Sequence, residues 1–214
     1  MEITAGMVRD LRERSGAGIM ECKSALAEAQ GDPEQALQIL RKRGLAGAAK
    51  RSGRTTSEGI VSSYIHPGGR VGVMLEVNCE TDFVARTDEF REMVKNLAMH
   101  IAASQPRFLS REDVPAPVLA SEREICMAQA RSSGRPEAAI PKIVEGKMGK
   151  FFQESCLMEQ PYVRDPGVSV KDYVTAVIAK TGENIRVRRF TRYALGEAVP
   201  EEAGTPAPGP SSPA

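Results

Sequence analysis

The stretch of this 214-residue chain best suited to act on another molecule is residues 76–86, with the sequence EVNCETDFVAR. It places the carboxylate of Asp82 beside the aromatic ring of Phe83, in what the pattern predicts to be a loop between a strand and a helix. An aromatic residue in a loop can anchor a partner protein. It can equally belong to a hydrophobic staple, in which Phe83 or Val84 packs near Phe90. The spacing leaves both interpretations open.

The other reactive side chains do not form a recognisable catalytic or metal-binding set. No nucleophile or carboxylate lies beside His66, which we expect in a turn, and His100 is expected at the boundary of an apolar stripe. The cysteines are widely spaced without a CxxC pair, which predicts buried free thiols: Cys22, Cys79, Cys126 and Cys156. The sequence also lacks phosphate-binding, zinc-protease and hydrolase motifs. We therefore predict that the protein is not an enzyme and has neither a cofactor nor a metal of its own.

Composition indicates a cytoplasmic protein without a strong attraction to nucleic acid or membrane. The formal net charge of +1 argues against wholesale electrostatic binding to either of these polyanionic surfaces. Charged residues interrupt every apolar run well before membrane-spanning length. The amino terminus has Glu2 and no long apolar core, so it does not resemble a secretory signal. The length suits one medium domain or two small ones.

Hydrophobic periodicity predicts the elements that must position the stretch 76–86. Residues 71–79 alternate apolar and polar side chains, and together with residues 60–65 and a turn at 66–70 they predict a β-hairpin. The helix that follows Phe83 has an apolar stripe that should pack on the sheet: Phe90, Val94, Leu97 and Ile101. The site is therefore expected at one end of a helix-covered sheet.

The amino-terminal part is predicted to be a separate helical unit. Residues 1–44 have the pattern of three short helices, the third of which begins after Asp32 and ends at Gly44. Residues 45–58 are predicted to be a basic linker. It contains no aromatic residue on which a base could stack, so a solvated linker is favoured over a nucleic-acid site.

The rest of the chain is predicted to form an α+β core over residues 59–197. Helical stretches at about 118–155 suggest a helical hairpin that projects from this core. A further helix should begin after Ser169 and end at Gly182, and the strand at 184–195 should contain a bulge near Arg189. Residues 198–214 are rich in proline and are predicted to be a disordered tail.

Two long motifs resemble those of a known family. The stretch EVNCETDFVAR is similar to the central signature of bacterial elongation factor Ts, and residues 11–26, LRERSGAGIMECKSAL, resemble its amino-terminal signature. The likeness continues through KIVEGKMGKF, CLMEQPYV and AKTGENIRVRRF, and so covers residues 1–197. It implies a guanine-nucleotide exchange factor for elongation factor Tu, with a ubiquitin-associated-like three-helix module that grips the nucleotide domain of that partner.

The resemblance also implies which residues bind the partner. The central motif is expected to dislodge the Mg²⁺ that elongation factor Tu holds with its nucleotide: Thr81, Asp82, Phe83 and Val84. The amino-terminal module is expected to contribute Arg12, Ile19, Met20 and Lys23. Two adjacent residues on a helix cannot both face fully inward, and we expect Met20 to be the one that faces outward. Contacts from the core are expected at His66, Val163 and Gly182. Arg164 and Thr181 occupy positions where other members can carry apolar residues.

Three further expectations concern assembly and alternatives. The chain has room for only one core module, and short members of this kind are expected to form non-covalent homodimers. An adaptor that only tethers proteins through the three-helix module is an alternative function. An RNA-binding protein is another, and it would use the arginines of the last strand: Arg186, Arg188, Arg189 and Arg192.

Overall fold

A computed structural model describes residues 3–134 and 136–197 of the chain, which have the predicted α+β class. The helices are α1 (Ala5–Ser15), α2 (Ile19–Glu28), α3 (Pro33–Arg51), α4 (Asp82–Ala85), α5 (Asp88–Ser104), α6 (Ala116–Ser132), α7 (Ile140–Ser155) and α8 (Val170–Thr181). The strands are β1 (Glu58–Ile65), β2 (Val71–Cys79), β3 (Pro161–Tyr162), β4 (Asp165–Ser169) and β5 (Ile185–Ala194). The predicted tail, residues 198–214, lies outside the described residues. Within them, no helix is long and apolar enough to cross a membrane.

The three predicted amino-terminal helices are present and share a hydrophobic cluster that includes Leu11, Leu26 and Leu40. The predicted end of the third helix at Gly44 is wrong, because α3 continues to Arg51. The continuation is explained by packing, since α3 lies on α8 and a Cβ added at Gly44 would meet the Ala179 side chain at 3.6 Å. The first half of the predicted linker 45–58 is therefore helix. A ubiquitin-associated-like module and a domain division at residue 44 stay predictions.

The main sheet is antiparallel with the strand order β1-β2-β5. The predicted alternation is confirmed, because Val73, Leu75 and Val77 on one face of β2 are buried. The predicted bulge is also present, slightly earlier than expected. Glu76 pairs with Arg189 and Val77 with Val187, which leaves Arg188 as the extra residue.

Helices α5 and α8 complete the main core. The predicted stripe of α5 is fully buried, and each such side chain contributes about 1.5–3 kcal/mol to stability: Phe90, Val94, Leu97 and Ile101. The capping box that begins α8 is confirmed, with the Ser169 hydroxyl accepting the Asp172 N–H at 3.0 Å. The segment before α8 forms the short antiparallel hairpin β3–β4.

His100 does not lie at a boundary, as the sequence suggested, but is fully buried. Its Nδ1 accepts the backbone N–H of Val163 at 3.1 Å. Its Nε2 therefore carries the proton and donates to Oε1 of Gln160 at 2.9 Å. The polar partners that make this burial possible come from a distant part of the chain, which sequence spacing does not show.

Helices α6 and α7 pack together around a separate hydrophobic cluster, which includes Cys126, Val144 and Met148. The two predicted helical stretches are thus present, and their projection from the core stays a prediction. All four cysteines are buried and free, as predicted. Burial raises the pKa of the Cys79 and Cys156 thiols to about 11.

Protonation of His100 should destabilise the fold. A proton on Nδ1 would face the Val163 N–H, and burial lowers the pKa of His100 below its ordinary value of 6.5. The unfolded chain therefore takes up this proton first, so the free energy of unfolding should decrease as pH falls below about 6.5. NMR titration of the ring protons should show His100 titrating below that pH.

The exposed His66 is the other histidine of the chain, and a His66→Gln variant distinguishes its ring resonances from those of His100. Titration of His100 at or above 6.5 would contradict the proposed hydrogen-bond pattern.

Candidate partner-binding site

The predicted loop around Phe83 is a single turn of helix, α4. This helix begins at Asp82. Thr81 is its N-cap, and the Thr81 hydroxyl accepts the Val84 N–H at 3.4 Å. Val84 and Ala85 point into the main core, in the cluster that also contains Phe90. Phe83 is 81% exposed, more than any other large hydrophobic side chain in the described residues. Val84 is therefore the buried member of the pair, and Phe83 is available to a partner.

Asp82 lies beside Phe83 and pairs with Arg86 one turn later. The distance from Arg86 Nη2 to Asp82 Oδ2 is 2.7 Å, and both side chains are mostly exposed. A surface ion pair of this kind is worth about 0–1 kcal/mol, so it costs little to exchange Arg86 for a group on a partner. Within the described residues, no group of three or more His, Cys, Asp and Glu side chains is placed to hold a metal ion.

The segment before α4 is held by the carboxylate of Glu183, in the turn between α8 and β5. Glu183 accepts the N–H of Glu80 at 3.1 Å and the N–H of Thr81 at 3.0 Å. It also accepts the Thr81 hydroxyl at 2.6 Å. Charge-assisted hydrogen bonds of this length are about twice as strong as neutral ones, so this turn fixes the position of the α4 N-cap.

Glu80 makes the reciprocal contact from the other side. Its Oε1 accepts the backbone N–H of Asn184 at 2.6 Å and lies 3.4 Å from Nη1 of Arg54. The side-chain amide of Asn184 donates to the backbone carbonyls of Ser52 and Arg54, at 3.3 and 2.9 Å respectively. The end of β2, the turn after α8 and the residues after α3 are therefore joined in one hydrogen-bonded network.

The amino-terminal residues predicted to bind the partner form a second exposed patch. Met20 faces outward, as predicted, and so does Ile19, with exposed fractions of 73% and 57%. Arg12, Ile19 and Met20 line one surface depression together with Lys180 of α8. Lys23 is also exposed but lies outside this depression.

The carboxyl end of α8 connects the two patches. The Lys180 side chain passes over Gly16, where a Cβ would lie 1.7 Å from Cε, and its Nζ pairs with Glu89 of α5 at 2.8 Å. Gly182 ends α8, as predicted, with a φ of 73° that favours glycine. Glu183 follows and holds the α4 N-cap. The structure thus brings Gly182 close to both predicted contact regions.

His66 and Val163 lie together in a different groove, beside α5. The His66 Nδ1 is 3.1 Å from the Tyr64 hydroxyl, and Val163 is about half exposed. Arg164 lines the same groove and donates to the side-chain oxygen of Asn96 at 2.8 Å. The structure therefore separates these two predicted contacts from Phe83 and Met20.

Comparison with known proteins shows which family this chain belongs to. Residues 48–197, most of the chain, match the family model described as Elongation factor TS. The chain belongs to the elongation factor Ts family. Its function is accordingly guanine-nucleotide exchange on elongation factor Tu during translation elongation.

Individual relatives support this membership of the elongation factor Ts family over nearly the whole chain. Elongation factor Ts of Carboxydothermus hydrogenoformans is 56% identical over 197 residues, which cover 92% of this chain and 91% of that protein. Elongation factor Ts of Moorella thermoacetica is 57% identical and 97% covered, and that of Fervidobacterium nodosum is 56% identical and fully covered.

Sequence reasoning missed the residues that hold the elongation factor Ts motif in place. Glu80 lies in the motif EVNCETDFVAR, and Glu183 and Asn184 lie in AKTGENIRVRRF, but sequence spacing does not show that the two motifs meet, so these residues were not predicted as part of the site. Their signal becomes visible only after β2 and β5 are aligned. The pairing of Cys79 with Ile185 places the residues Glu80 and Asn184 next to each other at the end of the sheet.

The different environments of Phe83 and Val84 predict different effects on stability. Phe83→Ala should change the free energy of unfolding by less than about 0.5 kcal/mol, because the ring is exposed. Val84→Ala, the matched core variant, should cost about 1–3 kcal/mol. Urea unfolding followed by circular dichroism measures both values. An equal loss in the two variants would show that Phe83 packs on its own fold.

Proposed function

We propose that Phe83 acts as a wedge that inserts into the nucleotide-binding domain of elongation factor Tu. The observation that carries this proposal is the contrast within α4, where an exposed aromatic ring lies directly before two buried residues. A rigidly mounted aromatic side chain can fill a pocket on a partner and contribute 2 kcal/mol or more to binding, by the usual order of magnitude of interface hot spots. Thr81 and Val84 support the wedge by capping and burying the helix that carries it.

Asp82 is proposed to disturb the Mg²⁺ that elongation factor Tu holds with its nucleotide. Its carboxylate is exposed and, among the residues that the structure describes, is bound by the weak pair with Arg86, so it can be redirected when the partner docks. A carboxylate near a Mg²⁺ site competes for the same hard cation or for the groups that ligate it. The magnesium belongs to the partner, and the chain itself supplies neither an active site nor a cofactor.

Thermodynamic linkage relates the binding of the factor to the binding of GDP on elongation factor Tu. If it weakens the hold of elongation factor Tu on GDP, GDP must weaken its own hold on elongation factor Tu by the same free energy. Each tenfold loosening of GDP requires about 1.4 kcal/mol. The combined effect of one buried aromatic side chain and one displaced Mg²⁺ contact is of the order of several such steps.

The amino-terminal patch is proposed to provide affinity. Ile19 and Met20 are exposed apolar side chains flanked by Arg12, and Lys23 extends the same helix face. Apolar anchors with charged neighbours are typical of protein interfaces. The groove with His66 and Val163 is proposed as a further contact with elongation factor Tu. Gly182 is proposed to contact elongation factor Tu as well, at a position between the Phe83 and Met20 patches.

The alternative as an RNA-binding protein is weakened by the ion pairs of β5. Arg189 pairs with Glu76 at 2.7 Å, and Arg192 pairs with Glu197 at 3.0 Å. These carboxylates reduce the positive charge that a phosphate backbone would require. The adaptor alternative predicts instead that Phe83 is dispensable, which the exchange experiment below decides.

A non-covalent homodimer is proposed from the outer face of the main sheet. The face turned away from α5 exposes apolar side chains of adjacent strands, with exposed fractions between 57% and 72%: Val61, Ile65, Met74 and Tyr193. A monomer rarely leaves several large apolar residues together in water, so this face suits a second copy of the chain.

A cytoplasmic location also remains a prediction.

The wedge proposal predicts slower nucleotide release with Phe83→Ala and with Asp82→Ala. Stopped-flow measurements of fluorescent GDP release from elongation factor Tu should give a stimulated rate about 30-fold lower with Phe83→Ala than with the parent protein. This ratio corresponds to about 2 kcal/mol. Met20→Ala is the matched exposed control and should raise the half-saturating concentration of the factor with little change in the maximal rate. Full stimulation by both Phe83→Ala and Asp82→Ala would contradict the proposal.

The dimer proposal predicts that a charge on the outer face weakens self-association. Met74→Asp should shift the sedimentation coefficient to that of a monomer, because the carboxylate would be desolvated in the interface. Ile125→Asp is the control, since Ile125 is a similarly exposed apolar residue on α6. A parent protein that sediments as a monomer at every concentration would rule out the dimer.

A further inference from the structure

We infer that Glu183 is a positioning residue for nucleotide exchange, with Glu80 as its counterpart. The inference rests on the proposed wedge, because the two carboxylates hold the turn from which Phe83 extends. The proposed role of Glu183 requires no contact with nucleotide or magnesium. Glu183 acts through the placement of Phe83 relative to the rest of the contact surface.

The contacts of Glu183 are concentrated on the residues directly before the wedge. Both of its carboxylate oxygens are used, on the N–H groups of Glu80 and Thr81 and on the Thr81 hydroxyl. The same hydroxyl oxygen accepts the Val84 N–H and so caps α4. The orientation of Phe83 therefore depends, through Thr81, on the position of Glu183.

Helix α4 needs this external support because it spans only residues Asp82–Ala85. One helical turn fixes several backbone angles for very few hydrogen bonds, so it is unstable without other contacts. Burial of Val84 holds the inner side of the turn. Glu183 holds its amino-terminal end, which is the end nearest to Phe83.

Glu80 makes the arrangement reciprocal, since it accepts the N–H of Asn184, the residue that follows Glu183. Each carboxylate thus holds the backbone of the opposite segment across the end of the β2–β5 pair. Two segments linked in both directions cannot shift relative to each other without breaking charge-assisted hydrogen bonds.

The last turn of α8, directly before the turn that carries Glu183, contains Lys180, whose side chain crosses Gly16 in the amino-terminal patch and pairs with Glu89. The end of α8 and the turn after it are therefore a shared support for Met20 on one side and Phe83 on the other. Fixing the position of Phe83 keeps it aligned with its site on the partner once the Met20 patch has docked. Because Glu183 contacts Glu80 and Thr81 and not the Met20 patch, its loss should affect the rate of exchange more than the affinity.

Glu183→Ala should lower the maximal rate of GDP release from elongation factor Tu by about tenfold, the order expected when a reacting group is misplaced. The half-saturating concentration should change less than about twofold, because the Met20 patch remains intact. Glu183→Gln should show a smaller loss, since its amide oxygen can still accept some of the three hydrogen bonds. Glu145→Ala, on exposed surface of α7, is the matched control and should behave as the parent.

A double-mutant cycle with Phe83→Ala separates positioning from general damage to the fold. If Glu183 acts through Phe83, Glu183→Ala should have no further effect in the Phe83→Ala background. Equal rate losses in both backgrounds, or a parent-like rate for Glu183→Ala alone, would overturn the inference. Glu183→Gln and unfolding midpoints for each variant show whether a rate loss reflects a loss of folded protein.

The single variants also distinguish failure of the positioning role of Glu183 from failure of the wedge role of Phe83. A slow Phe83→Ala with a parent-like Glu183→Ala would leave the wedge in place and remove only the positioning role. A parent-like Phe83→Ala would remove the wedge itself, and the positioning role with it.

Discussion

A single turn of helix cannot hold an exposed aromatic ring in a fixed position by its own hydrogen bonds. In this protein the turn that carries Phe83 is held because Val84 and Ala85 are buried and Thr81 is bound by Glu183. Burial of Val84 and Ala85 requires a sheet whose inner face is covered by α5. The hydrogen bonds between Glu183 and Thr81 require that β5 and the turn after α8 reach the end of β2. The architecture around the site therefore serves to meet these two requirements.

Local patterns in the sequence predicted the longer elements and most of the core, but not the short helix α4 or the hairpin β3–β4. The alternation of Val73, Leu75 and Val77 and the spacing of Phe90 and Val94 are set by neighbours close in the chain, so they are visible without a structure. The predicted end of α3 at Gly44 failed because packing on α8 outweighed the preference of glycine to end a helix. Such tertiary contacts are not encoded in local spacing.

The candidate binding motif was found in the sequence, but its geometry was not. The spacing could not decide between Phe83 and Val84 as the buried residue, because the answer depends on where the first turn of α4 begins. Glu183 lies about a hundred residues from its partner Thr81, at a sequence separation of 102. His100 was misplaced for the same reason, since Gln160 makes its burial possible from 60 residues away.

The buried cysteines have a practical consequence for following this protein in solution. The thiolate is the reactive form, and Cys79 and Cys156, with pKa values raised to about 11, remain protonated and shielded inside the fold. Cys22 and Cys126 are likewise enclosed by their own helical clusters. A single new cysteine on the surface would therefore accept a maleimide dye selectively while the four native thiols are kept, which allows docking to be observed by fluorescence in an otherwise unaltered chain.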